Sequence, residues 1–289
     1  MCDPALPCPF AATWGTAGSG DGQFNAPDAV AVDGTGNVFV VDNANNVVQK
    51  FTNTVTFLTE WGSRGTGDGQ FNNPAGIAVD ATGNVFVSDQ VNGRIQKFTN
   101  TGAFVTTWGS CCTGDVRFWN PRGIAVDSSG NVFVADSGNH RIQKFTNAGV
   151  FVTTWGSQGS GDGQFESPFG VAVDGSGNVL VTDSDNNRIQ KFTNTGTFLT
   201  KWGSGGTGDG QFNNPFGIAV DGTGNVLVAD LGTSRIQEFT STGAFLTKWG
   251  CPGSGHGQFI SVYDVAVDAS GNVYVADSGN HRIQKFGCP

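Results

Sequence analysis

Apolar runs of four to six residues, cut at short intervals by Gly, Asn, Ser and Asp, fill nearly the whole chain. One representative stretch contains GIAVD (123–127), NVFVAD (131–136), RIQKF (141–145) and FVTTW (151–155). Each reads as a short β-strand bounded by turn residues. The links DSSGN and TNAG are tight turns in which Gly and Asn accept positive φ, so the four segments predict an antiparallel meander. The second segment is apolar at successive positions, as suits a strand covered on both faces.

This unit returns every 47 residues: Trp14, Trp61, Trp108, Trp155, Trp202 and Trp249 fall on one column. Pro27, Pro74, Pro121, Pro168 and Pro215 form another, with Val262 in the sixth place. Two Asp columns follow, one from Asp33 to Asp268 and one from Asp42 to Asp277. Four strands at such a period indicate a β-propeller. The expected fold is therefore all-β: one domain over 1–289, with six blades of four antiparallel strands. The blades are placed at about 27–61, 74–108, 121–155, 168–202, 215–249 and 262–286, the last completed by 10–14. FAATW at 10–14 aligns with the fourth strands FLTEW and FVTTW, so an N-terminal strand is expected to close the ring and remove the exposed sheet edges.

FNNPAGIAVDATGNVFVSDQVNGRIQKF (71–98) and WNPRGIAVDSSGNVFVADSGNHRIQKF (119–145) resemble the NHL repeat, whose family forms six-bladed propellers. The first blade departs from the pattern, with Val47 where the others carry Arg94, Arg141, Arg188, Arg235 and Arg282. That family includes RNA-binding regulators, extracellular sensor domains and a zinc-dependent lyase, so the resemblance implies a fold and leaves function to the site.

Composition narrows the function classes. The net charge is −9 and the pI near 4.6, which argues against nucleic acid or an anionic membrane surface as partner. No apolar run is long enough to span a bilayer, so no membrane insertion is expected. The first ten residues have neither a basic start nor an apolar stretch, so no secretory signal is expected there. The Asp80-type and Asp136-type residues recur in every copy, as turn caps and partners of Arg would. His140 and His281 belong to opposite blades, and the Asn-His-Arg stretch is expected to turn toward an outer strand. No catalytic residue, metal ligand or cofactor is assigned.

Differences between near-identical copies carry more information. After the Pro column stand Asp28, Ala75, Arg122, Phe169, Phe216 and Tyr263, at the rim of the axial depression. The connector of blade three, CCTGDVRFWNPR, adds Arg117 and Trp119 beside Arg122. Arg and aromatic side chains dominate recognition hot spots. The expected function is non-enzymatic: a recognition or interaction scaffold holding a peptide, protein or glycan at Arg117, Trp119, Arg122, Phe169, Phe216 and Tyr263. The three aromatic rim residues are expected to be exposed, with Asp28 and Asp264 as a negative pole. The alternatives are a metal-dependent lyase or hydrolase at the channel and a structural or assembly module. Oligomeric state is left open.

Six cysteines beside a single Met favour an oxidising setting, extracellular or at the cell surface. Repeat phase puts Cys288 in the place of Asn100 and Cys8 in that of Gly102, two residues apart in one hairpin, so a Cys8–Cys288 disulfide is expected to staple the ring. Adjacent Cys111 and Cys112 have three fates open to them: a vicinal disulfide, free thiols or a bridge between molecules. Cys2 and Cys251 are left unassigned.

Overall fold

The computed structural model describes residues 8–287. It contains six four-stranded antiparallel sheets and almost no helix, only three 3-10 turns at Ser137–Asn139, Leu231–Thr233 and Ser278–Asn280. Blade three shows the plan, with strands Pro121–Val126, Val132–Asp136, Arg141–Phe145 and Phe151–Trp155 in that order from axis to circumference. Phe10–Trp14 pairs antiparallel with Arg282–Gly287, matching Trp14 to Ile283 and Thr13 to Gln284, and so supplies the outer strand of blade six.

Burial follows position in the blade. Every residue of Val132–Asp136 is buried, whereas the outer strand Phe198–Trp202 alternates half-buried and exposed. The unbroken apolar second strand thus sits between neighbouring blades, and the alternating fourth strand meets water on one side. Each core cluster straddles two blades: Phe39, Val41 and Val48 of blade one pack with Phe71, Val87 and Phe98 of blade two. Clusters of this kind repeat around the ring, so each blade is stable only against its neighbours.

The Asp columns act locally. Asp127 Oδ1 accepts the amide N–H groups of Ser129 and Asn131 at 2.9 and 2.8 Å, holding the turn between the first two strands. Asp183, fully buried, accepts from Glu166 N, Asn186 Nδ2, Arg188 Nε and Gln190 Nε2, tying the second strand to the preceding connector. In blade one Val47 removes the cation, and Asp42 accepts only from the Asn25 and Asn45 side of its loop.

The turn glycines of this motif are required by backbone shape. Gly224 has φ +90°, and an added Cβ there would meet only Ser241 Cβ at 4.0 Å. Gly224→Ala is therefore expected to cost about 1–2 kcal/mol through backbone conformation alone, measured by denaturant unfolding at constant m-value.

Cys111 and Cys112 are joined in a vicinal disulfide. Cys112 has φ 106°, where the equivalent connectors place Gly18, Gly159, Gly206 and Gly253, also at positive φ. Cys8 is buried in the cluster shared by blades five and six. The partner expected for it, Cys288, lies outside the described residues, as does Cys2.

Candidate ligand groove beside the channel mouth

The first strands of all six blades line an axial channel of about 220 Å3. Each begins at the Pro column with a register shift against the second strand, as between Pro168 and Val171 or Pro215 and Ile218. Such bulges re-aim the side chain beside them, here the variable residue after the Pro column.

Four of those residues form a continuous stack. The rings of Phe169 and Phe216 lie 3.8 Å apart at 15°, Tyr263 meets Phe216 edge-on at 5.2 Å, and the Arg122 guanidinium sits 4.6 Å above Phe169. Phe169 is consequently buried at 8% exposure, not displayed on the rim as the sequence suggested. A ring flanked on both faces offers a ligand little more than its edge. Phe216 and Tyr263 are half-buried by the same stacking.

Asp28 and Asp264 occupy the other half of the mouth. Asp28 Oδ1 accepts from Ser278 Oγ at 3.3 Å, and Asp264 Oδ2 accepts the Val30 amide N–H at 3.0 Å. Burial pushes both carboxyls up to about 7, the hydrogen bonds offsetting only part of this, and the charge of Asp28 raises Asp264 further. At neutral pH the pair is thus partly protonated, a weaker negative pole than two ionised carboxylates. Burial also lowers the Arg122 pKa, against the opposing influence of Tyr263, Asp28 and Asp185.

Beside this stack, between the mouths of blades three, four and five, opens a cavity of about 460 Å3 lined by Trp119, Arg122, His140, Asp185, Asn214 and Phe216. Trp119 is fixed although 54% exposed. Its amide donates to Asp136 Oδ1 at 2.8 Å, its carbonyl accepts the Gly138 N–H at 2.8 Å, and its indole lies on the Gly138 backbone. A Cβ at Gly138 would stand 2.6 Å from the indole, so only glycine admits the ring there. One indole face is therefore held against protein while the other faces the groove.

Arg117 does not join this group. It occupies the connector place of Gln70, pairs with Ser110 in a two-residue parallel bridge, and uses its carbonyl to accept from Arg141 Nη2 and Gln143 Nε2. Its side chain is exposed away from the groove lining. His140 is the reverse case, since it does line the groove. It caps the turn Ser137–Asn139 in the left-handed conformation, and its Nδ1 accepts the Ser167 amide N–H at 3.3 Å. The sequence reading placed it toward an outer strand, because the motif alone does not show that this turn stands above the neighbouring connector. The structure brings together Trp119, Arg122, Phe169 and Phe216, with Tyr263 behind them. It leaves Arg117 apart and keeps Asp28 and Asp264 at the channel.

Residues 71–98, 118–145, 165–192, 212–239 and 264–286 match the NHL repeat. No curated protein sequence matches the chain. Among solved structures, a protein of unknown function from Bacteroides thetaiotaomicron superposes with a TM-score of 0.73 at 18% identity, over 96% of this chain and 76% of that one. Virginiamycin B lyase from Staphylococcus aureus gives 0.64 at 16% identity, over 91% and 95%. A chain of a nidogen/laminin complex gives 0.59 at 18% identity, over 77% and 79%. At these identities the likeness is one of fold.

Proposed function

The chain is an NHL-repeat β-propeller, and from that premise we propose that it is a non-enzymatic recognition module whose ligand seats in the groove of blades three to five. The observation that carries this reading is Trp119. A large aromatic side chain stands where the other connectors carry Asn25, Asn72, Glu166, Asn213 and Ile260, is clamped on Gly138, and still presents half its surface to solvent. Fixed aromatic anchors lose little conformational freedom on binding. A protein partner in the nidogen/laminin complex and a lyase activity in the virginiamycin enzyme belong to those proteins, and both kinds of function are compatible with the fold. The lyase or hydrolase alternative would draw on Asp28 and Asp264 at the channel. Among the described residues no three His, Cys, Asp or Glu side chains are grouped as metal ligands would be. The six-cysteine content suits an extracellular or cell-surface recognition role.

Trp119→Ala tests the groove without disturbing the stack, which Phe216→Ala would break. Thermal unfolding of Trp119→Ala is expected to stay within about 0.5 kcal/mol of the parent. On arrays of peptides and of oligosaccharides, the variant should lose the set of ligands that the parent retains. An unchanged set would remove the groove from the function.

A further inference from the structure

Arg122 differs in one respect from the arginines of the third strands, Arg94, Arg141, Arg188, Arg235 and Arg282. Arg188 donates Nε to Asp183 and its Nη atoms to the carbonyls of Ser160, Gly161 and Gln164, and Arg235 and Arg282 are held the same way. The Arg122 guanidinium sits over the Phe169 ring and, among the described residues, donates no hydrogen bond and meets no carboxylate at ion-pair distance. Asp28 and Asp185 are close enough to act on its charge yet do not engage its donors. A largely buried cation with an unused planar fork is matched by a carboxylate, which accepts two parallel N–H bonds. In the free protein solvent reaches these donors, since none of them is a buried atom without a partner, and a ligand carboxylate takes the place of that water.

The rest of the groove selects what carries that carboxylate. The free indole face of Trp119 is electron-rich and suits the weakly positive C–H face of a saturated ring. Around it stand small hydroxyl and amide groups, Ser137, Ser167, Ser184 and Asn214, together with the Asp185 carboxylate and the rings of Phe169 and Phe216. Ser184 Oγ already donates to the Pro215 carbonyl at 2.7 Å, leaving its lone pairs free to accept from a ligand hydroxyl. The groove walls are connectors and turns, while the unpaired sheet edges are the first strands inside the channel and the fourth strands on the circumference, so the groove itself offers an extended peptide no strand to pair with. The volume is that of a small-ligand site.

We propose that the groove binds an acidic saccharide, with a uronate pyranose ring laid on Trp119 and its carboxylate held by Arg122. This rests on the recognition reading above. The binding step is non-covalent, and the hydroxyls of the sugar complete the hydrogen bonding of the polar fringe.

Calorimetric titration with a galacturonate trimer, its carboxyl-reduced galactose counterpart and a hexaglutamate peptide separates the outcomes. The parent should bind the uronate trimer, and Arg122→Gln should weaken it by roughly tenfold or more, the scale of a lost charge-assisted bidentate pair. The carboxyl-reduced trimer should bind the parent as weakly as the uronate binds the variant. Arg122→Lys keeps the charge without the fork and should fall between. It also serves if Arg122→Gln unfolds. Uronate binding that ignores both Arg122 substitutions overturns the assigned role of Arg122. Binding of hexaglutamate in preference to the trimer, lost in Trp119→Ala, overturns the saccharide and leaves the recognition module standing. Absence of any Trp119-dependent ligand, here and on the arrays, overturns both.

Discussion

Asp183→Ala is expected to destabilise the protein by about 3–5 kcal/mol, the cost of removing one partner from a buried ion pair. The carboxylate is fully buried and 2.7 Å from Arg188 Nε, itself only 8% exposed in its side chain. Truncation leaves that guanidinium, Gln190 Nε2, Asn186 Nδ2 and the Glu166 amide without their common acceptor. Blade one supplies the internal control. Asp42 is equally buried, and burial raises the pKa of both carboxyls, but Val47 stands where Arg188 stands in blade four. Asp42→Asn should therefore cost less than Asp183→Asn. Chemical denaturation of the three variants checks this, and equal losses for Asp42→Asn and Asp183→Asn would show that the cation contributes nothing.

Asp264→Asn should have little effect near pH 4 and stabilise the protein at pH 8. The folded carboxyl is raised to about 7, while in the unfolded chain it returns to the ordinary range near 4. A raised acid stabilises the fold fully below the unfolded value, and this contribution is lost as pH climbs through the folded one. The loss falls between about pH 4 and pH 7. At about 1.4 kcal/mol per unit it is on the order of 4 kcal/mol for an isolated group, shared here with Asp28 because the two interact. The amide oxygen of Asn can still accept the Val30 N–H that Asp264 accepts at 3.0 Å. Thermal unfolding of parent and variant across this range should converge at the acid end and diverge at the alkaline end. A constant difference would mean that Asp264 is ionised throughout.

The ring, the blade register and the closing strand were legible in the sequence because each repeats or completes a 47-residue pattern. The site was legible only as a set of positions. Phase shows that Arg122, Phe169, Phe216 and Tyr263 follow the Pro column, but it says nothing of their rotamers. The stack that buries Phe169 and lays Arg122 upon it depends on those rotamers. Arg117 was grouped with Trp119 from their nearness in the chain. In a strand-like connector, residues two apart need not share a surface once the chain turns, and the bridge to Ser110 carries Arg117 outward. His140 was missed because the alignment of one repeat omits the neighbour that its turn overhangs. Two adjacent thiols read the same in sequence whether bonded or free, so the Cys111–Cys112 bond needed the connector's backbone to decide it.

The closing strand has a kinetic consequence. Thr13 bonds to the Ile283 carbonyl across a separation of 270 residues, whereas the other outer strands pair with the third strand just before them. During synthesis Phe10–Trp14 emerges before every other blade strand and finds its partner last, so ring closure carries the loop entropy of a separation of 270 residues and belongs to the slow end of folding. In that interval FAATW faces third strands spelled RIQKF in blades two, three and four, the same sequence as its proper partner in blade six. Those wrong partners are occupied as soon as each hairpin supplies its own fourth strand. Rapid local hairpin closure in every other blade is therefore what keeps the first strand available for the last.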